Sequence, residues 1–476
     1  MRYPLLICAI LFSALSFSQT KLWSLAECIE YAHENNLTIQ RSSLDLKSAD
    51  LQRDAATANL FPNLNFNGGY FWQFGQSIDP ITNTRRDGNR QTSSITLSSN
   101  WVLFDGLQNI KWMRQAKLDH LAAVYNLEAI KNDISLNIAS AYLQVILNKQ
   151  IYEVAENQLK ISESQMNRSQ KLYEAGSIAK GEFLQVQAQM ARDDQSVIAA
   201  KNNVDISMLQ LIQMLQLESY EGFDIVIPDL SDPDNVLLNY TPKQIYDVAL
   251  GNQPSIKSSE VMVESAEKQL QISKGQFSPT ISLQAQVNSN ASQDLLRATG
   301  TGYATNPIGT VGNANPDPNA LVYSLPYLTA TGYENYPFFD QFGDNINQFV
   351  GINLQVPIFN RFQVRNNVRN SEIQLDRAMV DLELTKNDLR QTIERAYADA
   401  FASLKTFRAS EKSLEATEEN WKYAQKRYEQ GAMNQFEYEN TRNQFLNATA
   451  EMLQSKYDYI FKIKVLEFYL TNNITL

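Results

Sequence analysis

The chain has 476 residues, 43% of them hydrophobic and 20% charged, which excludes a disordered chain and equally a bundle of transmembrane helices. Its 41 basic residues face 52 acidic ones, and the net charge of −11 disfavours a nucleic-acid partner. Two Cys (Cys8, Cys28) and two His (His33, His120) exclude a disulfide framework and a Cys/His metal site of ordinary ligand count.

Residues 1–18 read as a secretory signal peptide. Arg2 precedes an apolar run from Leu5 to Phe12, and Ser16-Phe17-Ser18 supplies a small-x-small cleavage site. The run is too short to span ~30 Å of hydrocarbon, and no long apolar run follows it. An exported protein is expected, either free outside the inner membrane or inserted elsewhere as a barrel.

The mature chain repeats itself. Ser24-Leu25-Ala26-Glu27 opens a short helix, as Thr241-Pro242-Lys243-Gln244 does 217 positions later. Phe61-Pro62-Asn63-Leu64 matches Ser278-Pro279-Thr280-Ile281 at the same offset. Leu103-Phe104-Asp105 matches Ile358-Phe359-Asn360, and the Tyr173-Glu174-Ala175-Gly176 turn matches Tyr428-Glu429-Gln430-Gly431, both at 255. The offset therefore grows by 38 between Ile281 and Ile358, where an insertion must lie. Two structural repeats are expected, at 19–230 and 231–476. Each holds a helix, a β-hairpin (62–104 and 279–358) and a long helical hairpin (105–218 and 360–471).

The helical hairpins open with uninterrupted helical patterns of ~100 Å at 1.5 Å per residue. Asp105 and Asn360 are expected as N-caps, and Gly176 and Gly431 as left-handed helix ends. Helical stretches at 38–60 and 254–276 have the length to stack end to end with the shorter return helices. Two apolar stripes, through Leu127, Ile130 and Ile134 and through Leu136, Ala139 and Leu143, recur at a spacing near 3.5. They fit either a solid bundle or a wall of helices with a neighbour on each side.

In the β-hairpins the period falls to two. Ile281, Leu283, Ala285 and Val287 alternate with Ser282, Gln284, Gln286 and Asn288; Val350, Ile352, Leu354 and Val356 alternate with Gly351, Asn353 and Gln355. Ile95, Leu97, Trp101 and Leu103 form another such row, broken at Ser99, and Tyr70, Trp72 and Phe74 mark the fourth strand. The pattern suits membrane barrel strands, and equally strands that cover a soluble core. Segments 77–91 and 289–345 read as loops, and Tyr323, Tyr327, Tyr333, Tyr336, Phe338, Phe339 and Phe342 fit an interfacial belt or exposed loop positions. Four strands cannot close a barrel, which begins at about eight, and an open edge is not tolerated in lipid. Membrane strands would thus require several chains to share one barrel.

Jointly, these features resemble the TolC family of outer-membrane efflux proteins. The carriers are the paired breaks at Pro62 and Pro279, the junctions Trp101-Val102-Leu103-Phe104-Asp105-Gly106 and Val356-Pro357-Ile358-Phe359-Asn360-Arg361, the two Tyr-Glu-x-Gly turns and the start Leu22-Trp23-Ser24-Leu25-Ala26-Glu27-Cys28. The resemblance implies a mainly α fold with a β-barrel portion. In a homotrimer, antiparallel coiled-coil helices form an α-barrel and four strands per chain contribute to a 12-stranded transmembrane barrel. It implies an outer-membrane channel-tunnel reaching into the periplasm, which serves a tripartite efflux or type I secretion system. The duct is passive, gated at its periplasmic tip, and works with a periplasmic adaptor (membrane fusion) protein and an inner-membrane pump.

By the same resemblance Gly176, Ser177, Ile178, Gly431, Ala432 and Met433 are the adaptor-contacting tip turns. Glu437, Asn440 and Glu182 are the periplasmic gate. Asn440 departs from the acidic residue familiar there. Glu437 is either part of a ring of like charges around a threefold axis or a solvated Glu that complements its helix dipole. No catalytic residue, metal or cofactor is expected; His33 and His120 read as surface or packing residues, and Gly300-Thr301-Gly302 lacks the following helix of a phosphate cradle. The competing class is a periplasmic coiled-coil scaffold or adaptor without a pore.

Overall fold

A computed structural model describes residues 21–78, 85–217, 222–228, 238–293, 295–310 and 321–474. The expected signal peptide lies outside the described residues. Contacts divide the chain into two compact units, and both halves of the chain contribute to each. One gathers the described residues of Met1–Arg53, Gln115–Glu267 and Glu372–Leu476, the other those of Asp54–Arg114 and Lys268–Ser371.

In chain order the elements are β1 (Lys21–Trp23), α1 (Leu25–Asn35), α2 (Leu37–Ala58), β2 (Asn65–Gln73), β3 (Gln76–Ile78), β4 (Arg85–Asp87), β5 (Arg90–Phe104), α3 (Gln108–Glu174), α4 (Lys180–Leu215) and β6 (Phe223–Ile225). The series continues with α5 (Pro242–Asn252), α6 (Pro254–Gly275), β7 (Thr280–Ser292), β8 (Leu296–Ala304), β9 (Pro307–Thr310), β10 (Leu321–Tyr323), β11 (Tyr327–Asn335), α7 (Phe338–Asp344), β12 (Asn347–Gln355), α8 (Gln363–Glu429) and α9 (Gln435–Thr471). Helices recur in matched lengths: 11 residues in α1 and α5, 22 in α2 and α6, 67 in α3 and α8.

The helical unit is built twice on one plan. Capping boxes at Ser24 with Glu27 and at Thr241 with Gln244 start α1 and α5 by satisfying first-turn N–H groups. The apolar face of α1 (Leu25, Cys28, Ala32) packs on Ile138, Tyr142, Ile146, Leu211 and Leu215 of α3 and α4. That of α5 (Ile245, Ala249) packs on Ile393, Ala400, Phe407, Ile463 and Leu466 of α8 and α9. The Tyr142 hydroxyl reaches the Trp23 and Val226 carbonyls at 3.0 and 2.5 Å, which fastens the parallel β1–β6 pair to α3. Tyr397, 255 positions later, donates to the Leu238 carbonyl at 3.1 Å. The return helices meet the short ones: the Leu37 N–H at the start of α2 donates to Gln216 beyond α4 (3.0 Å), and Asn252 before α6 donates to the Leu470 carbonyl of α9 (3.4 Å).

The long helices start later than the caps Asp105 and Asn360 imply. Gly106 and Leu107 (φ 72° and 64°), and likewise Arg361 and Phe362 (54° and 63°), are left-handed and redirect the chain before α3 and α8 begin. Asp105 still accepts from the Asn109 N–H (2.8 Å). At Gly106 a Cβ would meet the Gly275 carbonyl at 2.5 Å, so a glycine suits both the dihedral and the close approach.

The strand unit holds an antiparallel sheet of order β12-β7-β5-β2. The segment 289–345, read as loop, contains regular structure where it is described: the β8–β11 and β9–β10 pairs and the seven-residue helix α7. Its Gly/Thr alternation hid the strands, because Gly300, Gly302 and Gly332 leave room for Thr331 and Thr299 from the facing strand instead of presenting apolar side chains.

Candidate functional site

Two places carry functional geometry: the hairpin turns of the helical unit, and the faces of the strand unit's sheet.

Both turns are Schellman motifs. Gly176 (φ 73°) donates to the Tyr173 carbonyl and Ser177 to that of Leu172 (2.9 and 2.8 Å); Gly431 (φ 70°) donates to Tyr428 and Ala432 to Arg427 (3.0 and 2.8 Å). The helices then restart differently. Asn434 caps α9 by accepting from the Glu437 N–H (2.8 Å), whereas Ala179 at the start of α4 has no side-chain cap.

The turns bring together some of the expected site residues. Ile178, Glu182, Gly431 and Met433 line a cleft of about 770 Å³, with Arg168, Leu172, Tyr428 and Tyr438. Gly176, Ser177 and Ala432 are exposed outside it. Glu437 and Asn440 are exposed on the first turns of α9, on a side of the helix different from the buried Tyr438. His33 meets Ser135 (2.9 Å) and His120 meets Asp50 (3.4 Å), each on its own pair of helices.

Behind the turns lies a charged cluster that sequence reasoning missed. Arg442 of α9 is fully buried. Its guanidinium bonds Asp193 of α4, Ser162 of α3 (3.0 Å) and Glu439 (2.8 Å). Gln158, its amide oxygen turned toward Arg442, accepts from the same group. Asp193 also accepts from Ser162 and from Gln189 (2.9 Å). One cation thus ties three helices together, with its donors met by buried acceptors. Burial pushes the Glu439 carboxyl above the usual carboxylate range, although Arg442 pulls it back. Burial likewise raises the phenols of Tyr428 and Tyr438, whose rings stack at 4.6 Å. A signal was present: Val186, Asp193, Ala200 and Ser207 recur every seven residues, which places Asp193 in the buried seam of α4.

In the sheet, strand register sorts side chains into two rows. Phe66, Leu97, Val287 and Gln348 are paired neighbours, as are Ala285 with Val350, Leu283 with Ile352 and Ile281 with Leu354. The opposite face carries Asn67, Thr96, Asn288, Gln286, Ser98, Gln284, Asn353 and Ser282. The apolar face is open: Val350 and Ile352 are each 73% exposed and Phe66 71%. β2 and β12 are its edges.

Comparison with known proteins gives one family. The model of the outer membrane efflux protein family matches residues 28–216 and 245–466. The outer membrane protein TolC of Escherichia coli K12 is 20% identical over 466 residues, 96% of this chain and 83% of TolC. The alkaline protease secretion protein AprF of Pseudomonas aeruginosa is 20% identical over 92% of this chain and 82% of its own. The crystal structure of the outer membrane protein VceC of Vibrio cholerae superposes with a TM-score of 0.68 at 16% identity, covering 94% of this chain and 95% of VceC.

Proposed function

Because the chain belongs to the outer membrane efflux protein family, we propose that its two-faced sheet is one share of a barrel closed by copies of the same chain. The protein is an outer-membrane channel of an efflux or type I secretion system, reaching into the periplasm. The carrying observation is the open apolar face together with the two sheet edges, β2 and β12, which no further described strand pairs. A soluble sheet buries that row against a core; here the row is left for hydrocarbon, and the polar face for a wet lumen. Lipid satisfies no backbone N–H or C=O, so β2 and β12 require strands from other copies. Three copies of four strands give twelve, an even number well above the smallest closed barrel.

The matched helix lengths, the repeated capping boxes and the Tyr142/Tyr397 pair support an ancestral tandem duplication. The duct is passive, and an inner-membrane pump and a periplasmic adaptor drive and couple it. The Gly176 and Gly431 turns, with Ser177, Ile178, Ala432 and Met433, form the adaptor-facing tip. Glu437, Asn440 and Glu182, the last being the counterpart of Glu437 at the 255 offset, line the entrance that the tip helices narrow by sliding on one another.

The test is detergent extraction followed by single-channel recording in planar bilayers. A channel resists salt washing and conducts; a pore-free scaffold comes off with salt and does not. Replacing Glu437 with Gln is expected to weaken block by divalent cations, and an unchanged block removes the charge ring.

A further inference from the structure

Among the described residues, the sheet's apolar face is covered by protein at its far end. β7 leaves α6 at Thr280 and ends at Ser292; near that end Ser289 and Ala291 are only 4% and 3% exposed. By register they share the face of Ile95, Val287 and Tyr70. What covers them is α7. The Ser289 hydroxyl donates to the Phe342 carbonyl (2.8 Å), and the Phe338 ring lies 6.1 Å from Tyr70, which sits edge-on to Trp72 at 4.7 Å. α7 is held firmly for its length. Gln341, fully buried, accepts from the Ser292 N–H (2.7 Å) and donates to the Ser292 and Tyr336 carbonyls (2.9 Å each). Asn345 donates to the Asn290 carbonyl (2.8 Å).

α7 therefore lies on the face read above as lipid-facing, and not on the polar face that would line the lumen. Its sequence Phe338-Phe339-Asp340-Gln341-Phe342-Gly343-Asp344 gives three rings and two carboxylates. Phe338 and Phe342 pack on each other at 5.6 Å, while Phe339 projects with 83% of its surface exposed. The row of aliphatic side chains on β7 and β12 stops at Val287 and Val350, and the aromatic group Tyr70, Trp72, Phe338, Phe339 and Phe342 begins beyond it. Aromatic rings next to polar groups are what a membrane–water interface selects. Continuity with the lipid-facing row names the occupant.

We propose that α7 is an interfacial foot, seated against the outer leaflet, with the Phe339 ring inserted among lipid chains just below the headgroups. The two Gln341 bonds to Ser292 fix its depth relative to β7, so it would set how far the barrel sinks into the membrane. The proposal rests on the barrel reading, and the experiment separates the two. In a Cys8→Ala, Cys28→Ala background, single nitroxide labels are placed at Phe339→Cys, Val350→Cys and Glu419→Cys in full-length protein reconstituted into phosphatidylcholine/phosphatidylglycerol vesicles. Relaxation by oxygen and by a water-soluble nickel chelate is then compared. The expected oxygen-to-nickel ratio at Phe339 is several-fold above that at the exposed helical Glu419 and below that at Val350. A ratio equal to that at Glu419 places Phe339 in water and overturns the foot, as does shielding from both reagents, which means a protein cover. A water-like ratio at Val350 itself overturns the barrel reading, and the foot with it.

Discussion

The α3–α4 and α8–α9 hairpins share a turn and differ in how they are fastened. Both turns use a left-handed glycine with the same pair of hydrogen bonds. Beyond the turn the second hairpin carries ring stacks, Trp421 on Phe445 at 4.9 Å and Tyr428 on Tyr438 at 4.6 Å. At the 255 offset the first pair becomes Met166 and Met190, and the second becomes Tyr173 with Phe183, stacked at 5.2 Å. The charges are also unequal. Arg442 corresponds to exposed Gln187, and Asp193 to buried Ala448. The clasp of α9 onto α3 and α4 therefore has no mirror image. Equal scaffolds with one asymmetric clasp let one hairpin be held by the other.

The largest break in this comparison is Arg442→Ala. It leaves Asp193 and Glu439 buried without their cation and is expected to cost about 3–5 kcal/mol in unfolding free energy. Gln187→Ala, its counterpart, is expected to stay within about 0.5 kcal/mol. Combining Arg442→Met with Asp193→Leu should recover most of the loss; a double variant as weak as the sum of its parts would show that the residues act independently.

Gly176→Ala and Gly431→Ala come next. A Cβ meets nothing within 4 Å at either turn, so the cost is conformational alone, about 1–2 kcal/mol and the same in both hairpins. Unequal losses in thermal melts would show that the turns are not equivalent. Asn434→Ala should cost about 1 kcal/mol, and Ala179→Asn should gain a similar amount by supplying the cap that α4 lacks.

The smallest effect is a pH slope. Burial raises the Glu439 carboxyl, so the folded state holds that proton more tightly than the unfolded chain. Its ionisation therefore subtracts stability as pH climbs from the ordinary Glu value through the raised one, and below both values the penalty is absent. Melting temperatures of Glu439→Gln against the parent chain should diverge in favour of Gln as pH rises, and converge in acid.

What was legible in the sequence followed from local chemistry. Gly176, Gly431, Ser24 and Thr241 punctuate helices through backbone rules that need no neighbours, and the two-residue alternation of Ile281–Val287 exposes its apolar side to inspection. The Arg442 clasp was not legible because Arg442, Asp193 and Ser162 are far apart in the chain, and acidic and basic residues on long helices ordinarily mark solvated faces. α7 escaped because seven residues carry too little periodicity to register. The caps at Asp105 and Asn360 were placed early because two successive left-handed residues, one of them Arg361, are improbable without the close packing at Gly106 and Gly275.

A shared barrel requires the edges of β2 and β12 to meet across copies of the chain. Cysteine pairs, one on β2 (Asn67 or Gly69) and one on β12 (Gly351 or Asn353), placed in a Cys8→Ala, Cys28→Ala background and oxidised in membranes, test this directly. Pairs in one register are expected to yield a disulfide ladder ending at three linked chains. No cross-link from any pair, or a ladder that stops at two or runs past three, would contradict it.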